Sequence, residues 1–383
     1  MPDVIIIGGG ITGAAAAYEI ARAGHSVTLI EKRKLAAMAS GWTLGGVRQS
    51  GRDPAELPLA LAAVERWAGL DEELGAPTGY RRGGNLRLAR TPEETDVIRA
   101  LVDEQRAKGL ELDYLADNAA IREIAPAVAA DILAASFCPT DGHADPVAAV
   151  TAFAEAARRH GAEIREGVRA LSLITTNGAV TGVETDHGPI HADRVIVATG
   201  VHAPELLGGV GLSLPLHIRI VCVLQTVPVE TRFAQVFGVA NADCAGRQEI
   251  DGRFRVTTGI GEWPHAVPTW TADQLQPSAA DVRRLIDLTT RVLPVLGETG
   301  VNRVWGGLID LTPDALPAID ARTGVEGLVV AAGFSGHGFG IGPVTGEILC
   351  DLALGRQPRF DLAPFRLDRF RDTAAPAALT LHG

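Results

Sequence analysis

Three glycines near the start of the chain, Gly8, Gly10 and Gly13, have the spacing G-x-G-x-x-G. They follow the apolar run 4–7, and an acidic residue, Glu31, comes about twenty residues later. In this context Gly8 permits a tight turn, Gly10 lets a diphosphate approach the backbone, and Gly13 lets a helix pack close to the strand. The helix N-terminus attracts the diphosphate, and Glu31 can bind both hydroxyls of an adenosine ribose. The spacing therefore predicts a strand–turn–helix–strand unit that binds a dinucleotide, and Glu31 disfavours one with a 2′-phosphate.

A second glycine-rich segment, 335–342, follows another short apolar run, 328–332. Pro343 suits the first turn of a helix, which we predict over 344–354. The backbone amides of such a loop and the start of such a helix carry partial positive charge. The segment therefore predicts a second place where negative charge on a ligand is stabilised.

Length and composition limit the fold and the classes of function. The 383 residues are 46% hydrophobic and 21% charged, which suits two or three globular domains. The net charge of −11 argues against a broad nucleic-acid-binding surface. The four cysteines are far apart and no metal-ligand spacing occurs, so we expect no metal site and a reducing, cytoplasmic location. No signal peptide or transmembrane segment is predicted.

Several motifs together resemble the D-amino-acid-oxidase-like family of FAD-dependent oxidoreductases, which includes glycine oxidase, sarcosine oxidase and the β subunits of proline and opine dehydrogenases. The glycine fingerprint alone does not separate FAD from NAD, and the resemblance favours FAD. It extends over nearly the whole chain. Besides the fingerprint, it is carried by GGVRQ at 45–49, DGHADP at 141–146, ATG at 198–200, TPD at 312–314 and GFSGHGF at 333–339.

The resemblance implies an α/β plus α+β fold in two parts. A Rossmann-type FAD-binding domain, a parallel sheet with helices, would come from three segments of the chain, and a smaller substrate domain with a mainly antiparallel sheet from two. The predicted segments are 1–78, 142–214 and 303–383 for the FAD-binding domain, and 79–141 and 215–302 for the substrate domain.

The resemblance also implies which residues hold the cofactor. Val168 would give backbone hydrogen bonds to the adenine, and segment 336–339 would line the flavin, where a helix N-terminus stabilises the negative charge of the reduced ring. His337 can alternatively be a buried structural histidine. The implied cofactor-binding residues are Gly8, Gly10, Ile11, Thr12, Gly13, Glu31, Lys32, Arg33, Ser40, Gly45, Gly46, Val168, Ala198, Gly200, Gly333, Gly336, His337, Gly338 and Phe339.

The chemistry of the family removes a hydride from a carbon next to nitrogen, and the substrate is usually positioned by its carboxylate. Arginine suits this task because its planar guanidinium binds a carboxylate through two hydrogen bonds. Arg48 matches the substrate-carboxylate arginine of monomeric sarcosine oxidase, and Arg52 is the second candidate. Each can alternatively face the surface or the diphosphate. With His337, these arginines are the predicted catalytic residues.

Three departures from the family pattern bear on the substrate and the cofactor. Gly340 replaces a lysine of monomeric sarcosine oxidase, and Ile309 replaces an arginine of glycine oxidase. Both replacements predict a larger or more apolar pocket, which makes glycine and sarcosine doubtful substrates. Gly307 replaces the cysteine that attaches FAD in monomeric sarcosine oxidase, so the resemblance implies non-covalent FAD.

The sequence thus predicts an enzyme that oxidises the C–N bond of an amino acid or an N-substituted (secondary-amine) amino acid to an imine that hydrolyses. A D-amino-acid or glycine oxidase, a flavin hydroxylase and the flavin-binding subunit of a heteromeric dehydrogenase stay open as alternatives. The electron acceptor is oxygen or a partner protein, and a homo-oligomer or hetero-oligomer is possible. The family's oxygen-activating lysine is missing near 259–265, and His217, His265 or His337 could supply positive charge instead.

Overall fold

The computed structural model describes residues 1–267 and 272–371. The strands are β1 Val4–Ile7, β2 Val27–Glu31, β3 Gly46–Val47, β4 Asn85–Ala89, β5 Asp113–Leu115, β6 Ala134–Cys138, β7 Gly142–His143, β8 Glu163–Glu166, β9 Ala170–Thr176, β10 Ala179–Thr185, β11 Ile190–His191, β12 Val195–Val197, β13 His217–Pro228, β14 Val236–Val239, β15 Cys244–Gln248, β16 Arg253–Thr258, β17 Gly261–Glu262, β18 Val301–Leu311, β19 Ala318–Asp320 and β20 Leu328–Ala332. The α-helices are α1 Ile11–Arg22, α2 Ala39–Trp42, α3 Leu57–Trp67, α4 Leu70–Leu74, α5 Pro92–Ala107, α6 Asn118–Ile124, α7 Pro146–Arg159, α8 Ala203–Gly208, α9 Ala279–Thr290 and α10 Gly338–Ala353. Short 3₁₀ helices cover Gly200–His202, Ala272–Leu275, Pro294–Glu298, Ala363–Phe365 and Leu367–Phe370.

A six-stranded sheet has the order β19-β20-β12-β1-β2-β8 and is parallel except for its edge strand β19. Its central strand, residues 4–7, is fully apolar because helices α1, α7 and α10 pack on one face and the small sheet β9–β11 on the other. This is the predicted Rossmann-type arrangement, and the fold class is confirmed.

A second, mainly antiparallel sheet has the order β17-β13-β16-β15-β14-β4-β6-β5, with β18 paired to the other side of β13. Strand β18 follows β13 from Thr226 opposite Val301 to His217 opposite Leu311. The pairing therefore continues beyond residue 303, where we place the third segment of the FAD-binding domain. The division into domains stays a prediction.

Helix α10 begins at Gly338, whereas the sequence predicts a start at residue 344. Pro343 consequently lies inside the helix, and its carbonyl accepts a hydrogen bond from Arg66 Nη1 at 2.8 Å. The early start is stabilised by packing, because a Cβ on Gly342 or Gly346 would lie 2.6–2.7 Å from side-chain atoms of α1. Tertiary contacts thus override the poor helix propensity of this glycine-rich segment.

Among helices within residues 1–267 and 272–371, we find none that is both long and apolar enough to cross a membrane. The cytoplasmic location stays a prediction.

Candidate active site

A cavity of about 350 Å³ lies where the carboxyl ends of β1, β2, β12 and β20 meet the nine-stranded sheet. Open α/β sheets bind ligands at this edge. We name two parts of its wall. The nucleotide end comprises residues 8–12, 31–32, 40, 168 and 198–200, and the arginine end comprises Arg48, Arg52 and His337.

The structure places most of the predicted site residues on this one cavity wall. These are Gly8, Gly10, Ile11, Thr12, Glu31, Lys32, Ser40, Gly46, Arg48, Arg52, Val168, Ala198, Gly200, Gly336, His337, Gly338 and Phe339. Four predicted residues do not line it: Gly13, Arg33, Gly45 and Gly333.

The glycine turn brings the backbone to the nucleotide end. Gly8 has φ +114°, and a Cβ there would overlap the carbonyl group of Ala198, 2.9 Å from its carbon. A Cβ on Gly10 would lie 3.0 Å from Ser40 Oγ, which accepts a hydrogen bond from the Ile11 N–H at 3.0 Å. A side chain is therefore excluded at Gly8 and crowded at Gly10, so the backbone at the start of α1 stays uncovered toward the cavity.

The glycines outside the cavity wall shape it through packing. A Cβ on Gly13 would overlap the Gly8 carbonyl oxygen, which is the close helix–strand contact that the fingerprint predicts. Gly45 and Gly333 have φ +71° and +70°, and a Cβ on Gly45 would overlap the Ala144 carbonyl. Their role is to shape the turns next to the site.

Glu31 ends β2 and holds the neighbouring backbone. Its carboxylate accepts hydrogen bonds from the N–H groups of Gly9 and Arg33, each at 2.8 Å. Its carbonyl accepts from the Val168 N–H at 3.0 Å, so the hydrogen bond predicted from that N–H to adenine competes with one inside the protein. The Arg33 side chain is exposed, and its backbone is linked to Glu31.

Lys32 and His202 form a polar pair at the nucleotide end, with 2.7 Å between Nζ and Nε2. Burial and the charge of Lys32 lower the pKa of His202 to about 4. The imidazole is therefore neutral at physiological pH and accepts a hydrogen bond from the ammonium group. His202 belongs to no sequence motif, so the sequence alone does not mark it as a site residue.

At the arginine end, Arg48 directly follows β3 and is half-buried. Its guanidinium forms no hydrogen bond or ion pair with any residue within 1–267 and 272–371. Burial, Arg52 and Arg87 lower the pKa of Arg48 to about 9, so the group stays charged at neutral pH. A buried charge without a partner is costly, and an anionic ligand would offset that cost.

Glu56 and His337 form a buried pair in which Oε2 and Nδ1 are 3.0 Å apart. Burial and Arg52 lower the pKa of His337, while His337 and Arg52 outweigh burial and lower the pKa of Glu56. Nδ1 therefore carries the proton and donates to the carboxylate. Nε2 is an acceptor with no hydrogen-bond partner in the described part of the chain. Because His337 is neutral and neither His217 nor His265 lines the cavity, the positive charge here comes from arginine.

Asp310, which sequence reasoning missed, lines the cavity and fixes the second glycine-rich loop. Its Oδ2 accepts from the Gly333 N–H at 2.9 Å, and its carbonyl accepts from the Ser335 N–H at 3.2 Å. Burial raises the pKa of Asp310 to about 6. The TPD motif that begins two residues later, at Thr312, was visible in the sequence, but nothing in it indicates this contact.

Two arginines of the nine-stranded sheet reach across to the loop before β3. Arg255 Nη1 donates to the Thr43 carbonyl at 2.9 Å, and Arg247 Nε donates to the Leu44 carbonyl. Glu249 Oε1 lies 2.7 Å from Arg255 Nη2 and balances part of the charge. These contacts tie the loop that leads to Arg48 to the second sheet, and no sequence spacing indicates them.

The structure corrects the prediction that Gly340 enlarges the pocket. A Cβ there would lie 3.0 Å from the Gly46 carbonyl oxygen, so the backbone of β3 already fills this space. The Gly340 carbonyl accepts from Trp67 Nε1 at 2.7 Å. Ile309 and Gly307 do line the cavity. Of the two replacements predicted to change the pocket, Ile309 and Gly340, only the one at Ile309 therefore affects the cavity wall.

The comparisons with known proteins identify the class. Residues 3–352 match the profile of the DAO family, described as FAD dependent oxidoreductase, so the chain belongs to this family. The predicted resemblance and the predicted FAD are confirmed.

Particular relatives differ in chemistry and in length. The chain is 27% identical to 4-methylaminobutanoate oxidase (formaldehyde-forming) of Paenarthrobacter nicotinovorans over 96% of its own length, but spans only 45% of that protein. It is 30% identical to glycine oxidase of Geobacillus kaustophilus, over 96% of this chain and 97% of that one. The crystal structure of L-proline dehydrogenase from P. horikoshii superposes with a TM-score of 0.87 at 29% identity, covering 97% and 98% of the two chains.

The residues of the cavity fit FAD. The start of α1 and the start of α10 both face it, which suits a diphosphate at the first and a ring that gains negative charge at the second. Thr199 Oγ1 and His337 Nε2 are buried at the wall and lack hydrogen-bond partners in the described part of the chain. In residues 1–267 and 272–371, His, Cys, Asp and Glu nowhere form a group of three or more able to hold a metal.

Proposed function

We propose that this chain oxidises the C–N bond of an amino acid, with N-substituted amino acids favoured over primary ones. The C–H bond next to nitrogen breaks as a hydride, a proton leaves the nitrogen, and the C=N bond forms. Water then hydrolyses the imine to a carbonyl compound and an amine. The observation that carries the proposal is the Arg48 guanidinium, which has no partner among the described residues and lies on the wall of the cavity that also holds the glycine turn.

FAD, when bound, supplies the two-electron acceptor for this oxidation. The chain itself positions the substrate: Arg48 binds the carboxylate through a planar two-point contact, which places the α-carbon for reaction. His337 contributes an unprotonated Nε2 that accepts a hydrogen bond, and Glu56 fixes this tautomer by accepting from Nδ1. The apolar side chain of Ile309 lines the same cavity and helps to exclude water from it.

The cavity supports catalysis in this chain over a purely flavin-binding subunit. It continues from the nucleotide end to the face of the nine-stranded sheet formed by Val221, Val223 and Gly238. A subunit without chemistry of its own has no need for a charged, half-buried Arg48 at such an opening. A glycine oxidase activity is the second candidate, supported by 30% identity along nearly the whole length of that enzyme.

The test is anaerobic bleaching of the yellow holoenzyme by a panel of primary and N-methyl amino acids, each as both the L and the D enantiomer. We expect at least one N-substituted amino acid to reduce the flavin faster than its primary counterpart. A flavin that only NAD(P)H bleaches would instead indicate a hydroxylase, and bleaching by glycine alone would favour the second candidate.

Non-covalent attachment of FAD is part of the proposal. Gly307 lines the cavity, and a Cβ there would lie 3.4 Å from Val221 Cγ2 and 3.9 Å from Trp42 Cβ. Acid precipitation should release the colour to the supernatant. A yellow pellet would contradict the non-covalent attachment and leave the cofactor assignment in place.

For the electron acceptor we propose an artificial dye as the faster partner and oxygen as a slower one. Lys32 is the only lysine among the described lining residues, and it is paired with His202 at the nucleotide end. Peroxide formed at the same rate as dye is reduced would make the enzyme a true oxidase.

A further inference from the structure

Arg87 lies beside the arginine end, on a strand that sequence reasoning did not connect with the site. Parallel pairing of β4 and β14 sets it next to Gly238, which lines the cavity. Arg87 shares its strand face with Asn85, whose amide donates to Ser50 Oγ at 3.0 Å. This face of the sheet therefore lies against the segment that contains Arg48.

The space next to Arg87 is open. A Cβ built on Gly238 meets no atom of the described residues within 4 Å. Across the sheet, Gly238 pairs with Ala245 of β15, and Ala245 also lines the cavity. Small residues on two adjacent strands thus leave room for a ligand group beside the Arg87 side chain.

Arg87 resembles Arg48 in lacking a partner. Its guanidinium forms no hydrogen bond or ion pair with the residues of 1–267 and 272–371. Burial and Arg52 lower the pKa of Arg87 to about 10, so it remains charged at neutral pH.

The nearby carboxylates already have partners. Glu56 binds His337 and lies 3.8 Å from Arg52 Nε. Asp141 accepts hydrogen bonds from the Gln49 N–H at 2.8 Å and from the Ser50 hydroxyl. Two guanidinium groups, those of Arg48 and Arg87, therefore remain without an anionic partner in residues 1–267 and 272–371 and can bind anions of a ligand.

We propose that the substrate carries two carboxylates: one on the reacting carbon, bound by Arg48, and a second, on the side chain or on the N-substituent, bound by Arg87 over Gly238. This inference rests on the proposed function, because it names the substrate class of the same site. It predicts dicarboxylic amino acids and N-carboxyalkyl amino acids as better substrates than their monocarboxylic counterparts.

Unreactive acids test the binding site directly. The holoenzyme is titrated with malonate, succinate and glutarate and with acetate, propionate and butyrate, and Kd is read from the change in the flavin absorption band. We expect the best diacid to bind about tenfold to a hundredfold more tightly than the monoacid of equal length. Arg87→Met should abolish this preference and change the affinity for monoacids by less than about threefold.

The controls separate the other roles that Arg87 can have. Arg303→Met, which removes an exposed arginine of the same sheet, should leave the diacid preference unchanged. Removal of a half-buried charge that lacks a partner among the described residues should not lower the melting temperature of Arg87→Met. Arg87→Gln is the substitute if the methionine variant does not fold. Equal affinities for diacids and monoacids in the unmodified protein overturn the inference. So does a lower flavin reduction potential in Arg87→Met with the diacid preference retained, because Arg87 would then act on the cofactor.

Substrates distinguish this inference from the proposed function. The compounds compared are N-methylglutamate and N-methylglutamine, each as both enantiomers, because they differ in charge but little in shape. We expect kcat/KM to favour glutamate at least tenfold, and to lose that ratio in Arg87→Met. Oxidation of both at equal rates overturns the inference and leaves the function in place; tight diacid binding without flavin reduction by any amine overturns the function alone.

Discussion

The nucleotide end of the cavity is built from backbone, whereas the arginine end is built from side chains. At the first, Gly8 and Gly10 bring main-chain atoms to the cavity, and the charged Lys32 is hydrogen-bonded to the neutral His202. At the second, Arg48 is charged, half-buried and without a partner among the residues that the structure describes, while Glu56 and His337 are hydrogen-bonded to each other.

Because of this difference, substitutions should impair ligand binding at the two ends in different ways. Backbone recognition needs space, so an added methyl group should harm it more than the loss of a charge. Side-chain recognition needs charge, so it should tolerate a change of shape better than the loss of a guanidinium. The predictions below test this contrast.

The largest effect is expected for Gly8→Ala. The new Cβ would overlap the Ala198 carbonyl, and φ +114° is unfavourable for alanine, so we expect loss of most bound FAD and a lower melting temperature. The measurement is the flavin-to-protein absorbance ratio. Gly24→Ala is the matched control, because its φ is +87° but its Cβ meets no described atom within 4 Å. Normal FAD content in folded Gly8→Ala would remove the basis of the contrast.

Arg48→Met should leave FAD content unchanged and lower kcat/KM by roughly 30- to 1000-fold. This corresponds to a charge-assisted carboxylate contact worth on the order of 2–4 kcal/mol. Arg48→Lys should also be impaired, since an ammonium cannot form the two-point contact. Lys32→Met, at the other end, should alter FAD affinity but not kcat/KM at saturating FAD. Unimpaired turnover in Arg48→Met would show that Arg48 does not bind the substrate carboxylate, and Arg52 would become the leading candidate.

Acid should destabilise the fold through three histidines: His202, His337 and His143, a buried residue of β7 whose Nδ1 lies 3.3 Å from Arg247 Nη1. Burial lowers the pKa of His202 to about 4 and that of His143 to about 3, the latter also through Arg247, and it lowers the pKa of His337. Unfolded histidine titrates near 6.5, so below that pH the unfolded chain binds more protons than the native one. The contribution of these histidines to the free energy of unfolding should therefore fall from about pH 6.5 toward 4, by up to about 1.4 kcal/mol per pH unit for each, and Asp310, whose raised pKa acts with the opposite sign, offsets part of this loss.

The measurement is urea unfolding across this pH range. His143→Gln should reduce the slope by about one proton whatever it does to absolute stability. An unchanged slope in this variant would show that His143 is protonated in the native state.

The smallest effect is expected for Ser40→Ala. Its Oγ accepts a single hydrogen bond from the Ile11 N–H, so we expect FAD to bind about twofold to tenfold more weakly, with kcat unchanged. Isothermal titration of the apoprotein with FAD measures this. If Ser40→Ala lost as much FAD affinity as Gly8→Ala, side chains would contribute as much as the backbone to recognition at the nucleotide end.

The nucleotide end could be predicted because its residues are neighbours along the chain. The apolar strand, the turn at Gly8, the helix after Gly10 and the acid at Glu31 lie within 31 residues, and each has a local reason for its residue type. Arg48, predicted from a motif that resembles the family, lines the same cavity, and its role stays a prediction. The start of α10 was misplaced, because packing of Gly342 against α1 outweighs helix propensity there.

Only the tertiary structure decided which charges are paired. Glu56 lies 281 residues from His337, and Arg247 lies 203 residues from its acceptor at Leu44, so no spacing rule links them. Arg87 came to the site through the register of β4 on β14. The sequence by itself determined the fold class and the dinucleotide turn, since both follow from short-range patterns. The arginine end required the folded chain, because burial decides the energy of an ion pair, and burial depends on every segment packed around it.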